Sequence, residues 1–264
     1  MTGALCGDAC TSGVGCSDGG GVVAGAFDVD EAGAADGGGI PCFRIRCRFR
    51  FLAGTPHIQW NMRGLQANQE ELSLLLSQYD PTAVCIQETL LHTNKTASFK
   101  KYSYYGIPAV ENNASVHGGV AILVKNTTPH QQLHINTGLQ AIAIRATCHK
   151  TITICSIYLS PSTACNITEL EDLIRQLPPP VLLLGDFNAH SQQWGSYKHS
   201  SRGKVVEDFL LKSNLSLLNS GSPTHLHPAT ASFSAVHLSI THPALFWIFA
   251  GKLILIYMVV ITVQ

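Results

Sequence analysis

The chain has 264 residues, of which 45% are hydrophobic, and this suits one α/β domain with additional segments and a sizeable core. Its 17 Lys and Arg residues balance 17 Asp and Glu residues, so the formal net charge is +0. This balance excludes a protein that grips DNA through an overall basic surface, and any contact with phosphate must be local. Nine cysteines at irregular spacing argue against a disulfide framework, so a reducing compartment, the nucleus or the cytoplasm, is expected.

The first 52 residues are predicted to form a leader outside the folded domain. Residues 1–39 are rich in Gly, Ala and small polar residues and cannot bury enough apolar surface to offset their ordering entropy, so disorder is expected. Residues 40–52 are basic, with an arginine at every second position from Arg44 to Arg50. Two interpretations of this basic segment stay open: a strand or localisation patch, or leader sequence with no selected role.

From residue 57 onward, apolar residues recur with the spacing of helices and strands. The predicted elements, in chain order, are a helix around 72–79, strands at 83–86, 119–124, 141–145 and 151–158, a helix around 170–177, a strand at 181–184 and a helix around 206–210. Asp80-Pro81 and the prolines at 178–180 end the first two helices. Helices alternate with strands that include a hairpin, which favours a mixed-sheet α/β sandwich over a purely parallel sheet.

The chain ends in an apolar tail, residues 244–264. Its length is about the 20 residues that a membrane helix needs. Lys252 lies near its middle, where a charge costs about 2.5–3.5 kcal/mol on insertion scales. Two interpretations stay open: a membrane anchor, or sequence from a non-native reading frame without a selected function. A membrane partner, or a membrane-anchored location, is expected only under the first.

Five polar residues stand at the carboxyl ends of apolar runs, and these are Asn61, Glu88, Tyr158, Asp186 and Asn188. Open α/β sheets place their ligands at this edge. The set indicates metal-assisted hydrolysis of a phosphate ester, since Glu88 and Asn61 offer the hard oxygens that Mg²⁺ prefers. Asp186 can orient or deprotonate the attacking water. Asn188 and Tyr158 can donate hydrogen bonds to phosphate oxygens.

Four segments resemble, in order, the successive motifs of the endonuclease/exonuclease/phosphatase superfamily, and they are residues 59–65, 86–89, 157–161 and 184–190. Trp194-Gly195-Ser196 and Ser222-Pro223-Thr224 look like the endonuclease domain of jockey-like non-LTR retrotransposons. The resemblance implies a four-layer α/β sandwich over residues 53–243. It also implies dependence on Mg²⁺, with Mn²⁺ as a substitute, and nicking of target DNA to prime reverse transcription.

Matched to the motifs, the resemblance makes Glu88 the metal ligand with Asn61 beside it, and Tyr158 a phosphate contact. It makes Asp186 and Asn188 a water-orienting pair, and it places Thr224 at the edge of the domain that faces DNA. DNA is therefore the expected partner, and no protein partner is evident in the sequence.

Two departures from the family pattern bear on activity. His237 stands where the family has an aspartate, and nothing supplies the terminal Ser-Asp-His motif, because His242 comes too early. We therefore expect a fold incomplete at its last strand and an impaired endonuclease, and whether the chain is an active enzyme stays open. The alternatives are an inactive retrotransposon remnant, or a different phosphodiesterase of the superfamily with a membrane tail.

Overall fold

The computed structural model describes residues 28–30, 44–46, 57–112, 115–148, 150–227, 232–249 and 253–255. Inside the predicted leader it describes two short strands, β1 (Asp28–Asp30) and β2 (Arg44–Arg46), which pair antiparallel. The rest of the predicted leader and most of the apolar tail lie outside the described residues, so disorder of the leader stays a prediction.

The folded region is built from fifteen further strands and four helices. The strands are β3 (His57–Asn61), β4 (Ala83–Gln87), β5 (Tyr102–Ile107), β6 (Val110–Asn112), β7 (Ser115–His117), β8 (Val120–Lys125), β9 (His130–Leu133), β10 (Gln140–Thr147), β11 (Thr151–Tyr158), β12 (Val181–Asp186), β13 (Ser216–Leu217), β14 (His225–His227), β15 (Ser232–Ser234), β16 (His237–Thr241) and β17 (Leu253–Leu255). The helices are α1 (Gln69–Tyr79), α2 (Ile167–Gln176), α3 (Ser201–Ser213) and α4 (Pro243–Phe249). Gln192–Trp194 form one turn of 3-10 helix.

Two mixed sheets make up the body of the domain. The five-stranded sheet has the order β17-β3-β4-β8-β5, and the six-stranded sheet has the order β13-β16-β12-β11-β10-β9. Each sheet holds a central parallel pair, β3 with β4 and β11 with β12, and the neighbours of these pairs include antiparallel strands. The hairpin predicted over residues 141–158 is β10–β11.

The sheets pack face to face, and helices cover their outer faces. Residues between the sheets include Ile122 from β8 and Leu182 from β12. α1 covers the five-stranded sheet through Leu72, while α2 and α3 cover the six-stranded sheet through residues such as Leu173 and Phe209. This arrangement of helix, sheet, sheet and helix confirms the predicted four-layer α/β sandwich with mixed sheets.

β12 shows why the sandwich has two apolar faces per sheet. All six residues of Val181–Asp186 are buried. Leu182 and Leu184 lie in the core between the sheets, whereas Leu183 lies in the core beneath the helices. Successive side chains of a strand point to opposite faces, so a strand covered on both sides must be apolar at nearly every position.

Part of the apolar tail belongs to the folded body. Leu245 of α4 is buried in the core between the sheets, and β17 pairs parallel with β3. β17 thus occupies the edge of the five-stranded sheet beside β3, and the expected incompleteness at the last strand stays a prediction. The boundary at residue 243 stays a prediction. None of the helices within the described residues is long and apolar enough to cross a membrane.

His57 at the start of β3 gives the fold a predicted sensitivity to acid. Burial lowers the pKa of His57 to about 4 from its usual 6.5. Below pH 6.5 the His57 imidazole is therefore protonated in the unfolded chain but stays neutral in the folded chain. Stability is thus lost as the pH falls from 6.5 toward 4. We expect His57→Gln to reduce the loss of unfolding free energy between pH 7 and pH 5 by about 2 kcal/mol.

Urea unfolding followed by circular dichroism at the two pH values measures this difference. The half-exposed His92, replaced by Gln, is the matched control and should leave the loss unchanged. An equal loss in wild type and His57→Gln would contradict the assignment.

Candidate active site at the carboxyl ends of the central strands

The four central strands deliver the predicted residues to one edge of the sandwich. Asn61 ends β3, Tyr158 ends β11 and Asp186 ends β12, while Glu88 directly follows β4. The parallel registers align Asn61 with Gln87 and Tyr158 with Asp186. The five-stranded sheet thus contributes an amide and a carboxylate, and the six-stranded sheet contributes a phenol and a carboxylate.

Asn61 joins the two carboxylates. Its Nδ2 donates to Glu88 Oε1 at 2.8 Å and to Asp186 Oδ2 at 2.8 Å. Its Oδ1 accepts from the main-chain nitrogen of Arg63 at 3.3 Å. One neutral side chain therefore spans the seam between the sheets and holds two negative groups within hydrogen-bond reach of a single nitrogen.

Glu88 is fixed by its backbone as well as by Asn61. It has a left-handed φ of 50°, and its carbonyl accepts from the Gly64 nitrogen at 2.8 Å. A non-glycine residue in this conformation is uncommon and persists where the surroundings hold it. The side chain itself is half-buried, so its carboxylate lies at the boundary between the core and solvent.

Tyr158 is a nearly buried phenol that hydrogen-bonds with Glu88. Burial raises the pKa of Tyr158 well above its usual value, and the negative charges of Glu88 and Asp186 raise it further. The hydroxyl therefore stays protonated through the neutral range and acts as a donor. A hydroxyl donor beside the two carboxylates can also donate a hydrogen bond to a substrate oxygen that gains negative charge.

Asp186 and Asn188 are linked through the turn between them. The Asn188 main-chain nitrogen donates to Asp186 Oδ1 at 2.9 Å, and Asn188 has a left-handed φ of 47°. The Asn188 side chain donates from Nδ2 to the carbonyl of Leu159 at 3.0 Å. The predicted water-orienting pair is therefore adjacent, but the Asn188 amide group already braces the loop after β11.

Thr224 lies beneath the surface, with a relative exposure of 2%. Its Oγ1 accepts from the main-chain nitrogens of Val236 at 2.9 Å and His237 at 3.1 Å. Its carbonyl oxygen lies 3.1 Å from His237 Nδ1. Thr224 thus supports the start of β16, and its proposed contact with DNA stays a prediction.

His237 joins the site, which the sequence did not predict. β16 pairs with β12 so that His237 stands opposite Asp186, and His237 Nε2 lies 3.7 Å from Asp186 Oδ2. With Nδ1 donating to the Thr224 carbonyl, Nε2 is directed at the carboxylate. The sequence could have indicated this contact, because His237 stands where the resemblance implies an aspartate of the active site. The structure places an imidazole next to Asp186 instead of a third carboxylate.

The Trp194-Gly195-Ser196 motif braces the loop that follows the site. Gly195 has a φ of 93°, and a Cβ added there would lie 1.9 Å from the Gly221 carbonyl oxygen, so only glycine fits. Ser196 Oγ donates to the Ala235 carbonyl at 2.9 Å. The motif therefore holds the loop against the segment that leads into β16.

Buried polar contacts join the two sheets behind the site. Gln87 Nε2 donates to Ser156 Oγ at 3.0 Å, and Ser239 Oγ donates to Gln59 Oε1 at 3.4 Å. All four residues are at most 2% exposed. Buried polar groups of this kind favour one alignment of the sheets, because sliding would leave them unpaired.

Comparison with known proteins relates the chain to proteins of mobile elements. A family model described as endonuclease-reverse transcriptase matches residues 152–246, which contain Tyr158, Asp186, Asn188 and His237. The RNA-directed DNA polymerase from mobile element jockey of Drosophila melanogaster is 27% identical over 168 residues, which cover 62% of this chain and 18% of that protein. The chain thus spans less than a fifth of the length of this curated relative.

Solved structures agree with the fold. The endonuclease domain of TRAS1, a telomere-specific non-LTR retrotransposon, has a TM-score of 0.59 at 20% identity, covering 71% of this chain and 85% of that domain. The chain is thus similar in sequence to proteins of non-LTR retrotransposons and in fold to one of their endonuclease domains. A second solved member of this fold is the Neisseria 3′ phosphatase NExo bound to a product DNA hairpin, with a TM-score of 0.58 at 15% identity, covering 72% of this chain and 88% of that one.

The edge that carries Asn61, Glu88, Tyr158 and Asp186 offers oxygen donors for a metal. The described part of the chain contains no group of three or more His, Cys, Asp and Glu residues that could hold one. The half-buried Glu88 carboxylate, with an amide and a phenol as its partners, nevertheless suits a hard cation. Mg²⁺ needs only one or two carboxylates because it keeps several waters. The donor chemistry therefore fits a divalent cation that prefers oxygen ligands.

Proposed function

We propose that this domain is a metal-dependent DNA endonuclease, which nicks target DNA so that an associated reverse transcriptase can prime from the break. The observation that carries the proposal is the bridge that Asn61 makes between Glu88 and Asp186 at 2.8 Å on each side. It lies in a domain of the non-LTR retrotransposon type, and one solved relative of the fold holds a DNA product. The proposal places the active protein in the nucleus.

Glu88, with Asn61 beside it, would hold Mg²⁺, or Mn²⁺ in its place. A bound divalent cation supplies positive charge that neutralises the charge developing on the phosphate. Glu88 suits this role because its carboxylate reaches the solvent boundary while its backbone is held in a fixed turn.

Asp186 is the residue that we assign to the attacking water. Its two oxygens already accept from the Asn188 main-chain nitrogen and from Asn61, so the carboxylate is held in one orientation. The water's oxygen bonds to phosphorus as one of its protons passes to Asp186, and the bond between phosphorus and the 3′ oxygen breaks. The departing 3′ oxygen takes up a proton from solvent, which gives the free 3′ hydroxyl that priming requires. Tyr158, protonated and beside Glu88, donates to a phosphate oxygen as charge builds there.

His237 faces Asp186 where the resemblance implies an aspartate. An imidazole at 3.7 Å from Asp186 Oδ2 does not add a like charge beside this carboxylate, as the implied aspartate would. A preorganised hydrogen-bonding group at such a site typically contributes ~10²–10³-fold to the rate, so with His237 in place of the implied aspartate we propose a slow enzyme rather than a fast one.

Nicking of supercoiled plasmid by the 264-residue protein, with Mg²⁺ and with EDTA, tests the proposal. We expect nicking with Mg²⁺ alone, and a loss of ~10²–10³-fold in Glu88→Gln, which keeps the shape of the side chain but removes its charge. Glu169→Gln is the matched control, because Glu169 is an exposed glutamate in the first turn of α2 and is not one of the proposed site residues.

Full activity in Glu88→Gln would contradict the assignment of the metal site. If the protein unfolds cooperatively but nicks no plasmid with Mg²⁺, the result would instead favour an inactive retrotransposon remnant. Binding to DNA should be weak and should fall with added salt, because the chain has no net positive charge.

A further inference from the structure

Arg202 lies outside the predicted site, yet its guanidinium contacts the two loops that follow Tyr158 and Asp186. On the loop after β11, Arg202 Nη2 donates to the carbonyl of Ser160 at 2.8 Å and to that of Thr163, and Nη1 donates to the Leu159 carbonyl at 3.3 Å. On the loop after β12, Nη1 donates to the Phe187 carbonyl at 3.4 Å. One side chain thus bridges the two segments.

These loops begin at the proposed catalytic residues. Leu159 follows Tyr158, and Phe187 lies between Asp186 and Asn188. The Leu159 carbonyl also accepts from Asn188 Nδ2 at 3.0 Å, and the Leu159 nitrogen donates to the Asp186 carbonyl at 2.9 Å. Arg202 therefore completes a junction in which each loop holds the other in place.

Arginine suits this junction for reasons that lysine does not share. Within the described residues, every hydrogen bond of its guanidinium goes to a main-chain carbonyl. A planar fork with five fixed donors can serve several carbonyls at once, whereas an ammonium group is a single point of charge. The bonds to Leu159, Ser160 and Phe187 are partly buried, so a loop arrangement that keeps these carbonyls paired is favoured.

The position of Arg202 in α3 is not explained by helix stability. Arg202 is the second residue of α3, where a positive charge opposes the helix dipole. The start of α3 is held in place from both sides. Ser200 Oγ caps the helix by accepting from the Gly203 nitrogen at 3.0 Å, and a Cβ at Gly203 would lie 2.0 Å from the His190 carbonyl oxygen. The helix therefore presents the guanidinium from a rigid base.

We propose that Arg202 is a positioning residue of the nuclease, and this inference rests on the proposed function. Arg202 fixes Tyr158 relative to Asp186 and Asn188 by holding the two loops together, without touching the substrate. A displacement of about 1 Å in a catalytic group can lower a rate by about 100-fold. The loss should fall on kcat rather than KM, because the proposed roles of Tyr158 and Asp186 belong to the chemical step rather than to binding of DNA.

The test compares Arg202→Ala, Arg202→Lys and wild type in plasmid nicking with Mg²⁺. We expect kcat to fall by about 10–100-fold in both variants, with KM within about threefold of wild type. Guanidinium chloride at millimolar concentration should restore part of the Arg202→Ala activity, whereas methylammonium chloride at the same concentration should not. Arg175→Ala is the control, because Arg175 is an exposed arginine on α2 that pairs with Asp172.

Hydrogen exchange of the same variants separates this inference from the proposed function. The amides of Leu159 and Asn188 should exchange faster in Arg202→Ala than in wild type, while amides in the middle of β12 should not change. This result would support the junction even if the wild-type protein nicked no DNA. Unchanged exchange, or a rise in KM with kcat preserved, would overturn the proposal.

Discussion

Asp186→Asn is expected to lower the rate of plasmid nicking by ~10²–10⁴-fold, the usual contribution of a positioned proton acceptor. The amide keeps the shape of the carboxylate but cannot take a proton from water. Its nitrogen would also face a donor in either orientation, because Asp186 Oδ2 accepts from Asn61 Nδ2 and Oδ1 accepts from the Asn188 main-chain nitrogen. Single-turnover nicking with excess protein, measured from pH 6 to pH 9, isolates the chemical step.

Asp208→Asn is the matched control for this measurement, because Asp208 is exposed on α3. It should nick at the wild-type rate across the pH range. If Asp186→Asn retained more than about a tenth of the wild-type rate, Asp186 would not be the proton acceptor. Cooperative urea unfolding of both variants should accompany the kinetics, so that loss of activity is not confused with loss of fold.

Trp194→Ala is expected to lower the free energy of unfolding by about 3–5 kcal/mol, the range for deleting a buried tryptophan. Trp194 is fully buried in the core beneath α2 and α3, and its Nε1 donates to the Ala189 carbonyl at 3.0 Å. The substitution leaves both a cavity and an unpaired carbonyl. Urea unfolding followed by far-ultraviolet circular dichroism measures the loss without relying on tryptophan fluorescence.

Tyr197→Ala serves as the control for Trp194, since this aromatic residue is only three positions away and 62% exposed. It should change the unfolding free energy by less than about 0.5 kcal/mol. A Trp194→Ala variant as stable as Tyr197→Ala would mean that the loop after β12 does not depend on this anchor.

Elements with their own apolar pattern could be predicted from the sequence. The strand predicted at 181–184 is β12, and the helix predicted around 170–177 is α2, because burial of Leu170 and Leu173 repeats at helical spacing. β5 and β9 were not predicted. Most residues of β5 are only partly buried, and none of β9 is fully buried, so no alternation marks them. Their stability comes from pairing with β8 and β10, which a local pattern does not reveal.

Some contacts of the candidate site could likewise be predicted from the sequence, and others could not. Asn61, Glu88, Tyr158 and Asp186 could be predicted because each ends an apolar run, and parallel strands bring such ends to one edge. The contacts of His237 and Arg202 could not be predicted. His237 reaches Asp186 only through the pairing of β16 with β12, and Arg202 is 42 residues from the Ser160 carbonyl that it contacts. Contacts at this separation depend on the assembled fold.

Because Asn61 bridges the two sheets, the geometry of the site depends on how the sheets are aligned. Glu88 belongs to one sheet and Asp186 to the other, and a single amide of fixed length spans them. A slide of one sheet by a fraction of an ångström would stretch one hydrogen bond while the apolar interface adapted at little cost. Catalysis would then decline while the protein stayed folded. Substitutions at the sheet interface can therefore abolish the activity of such a domain before they unfold it.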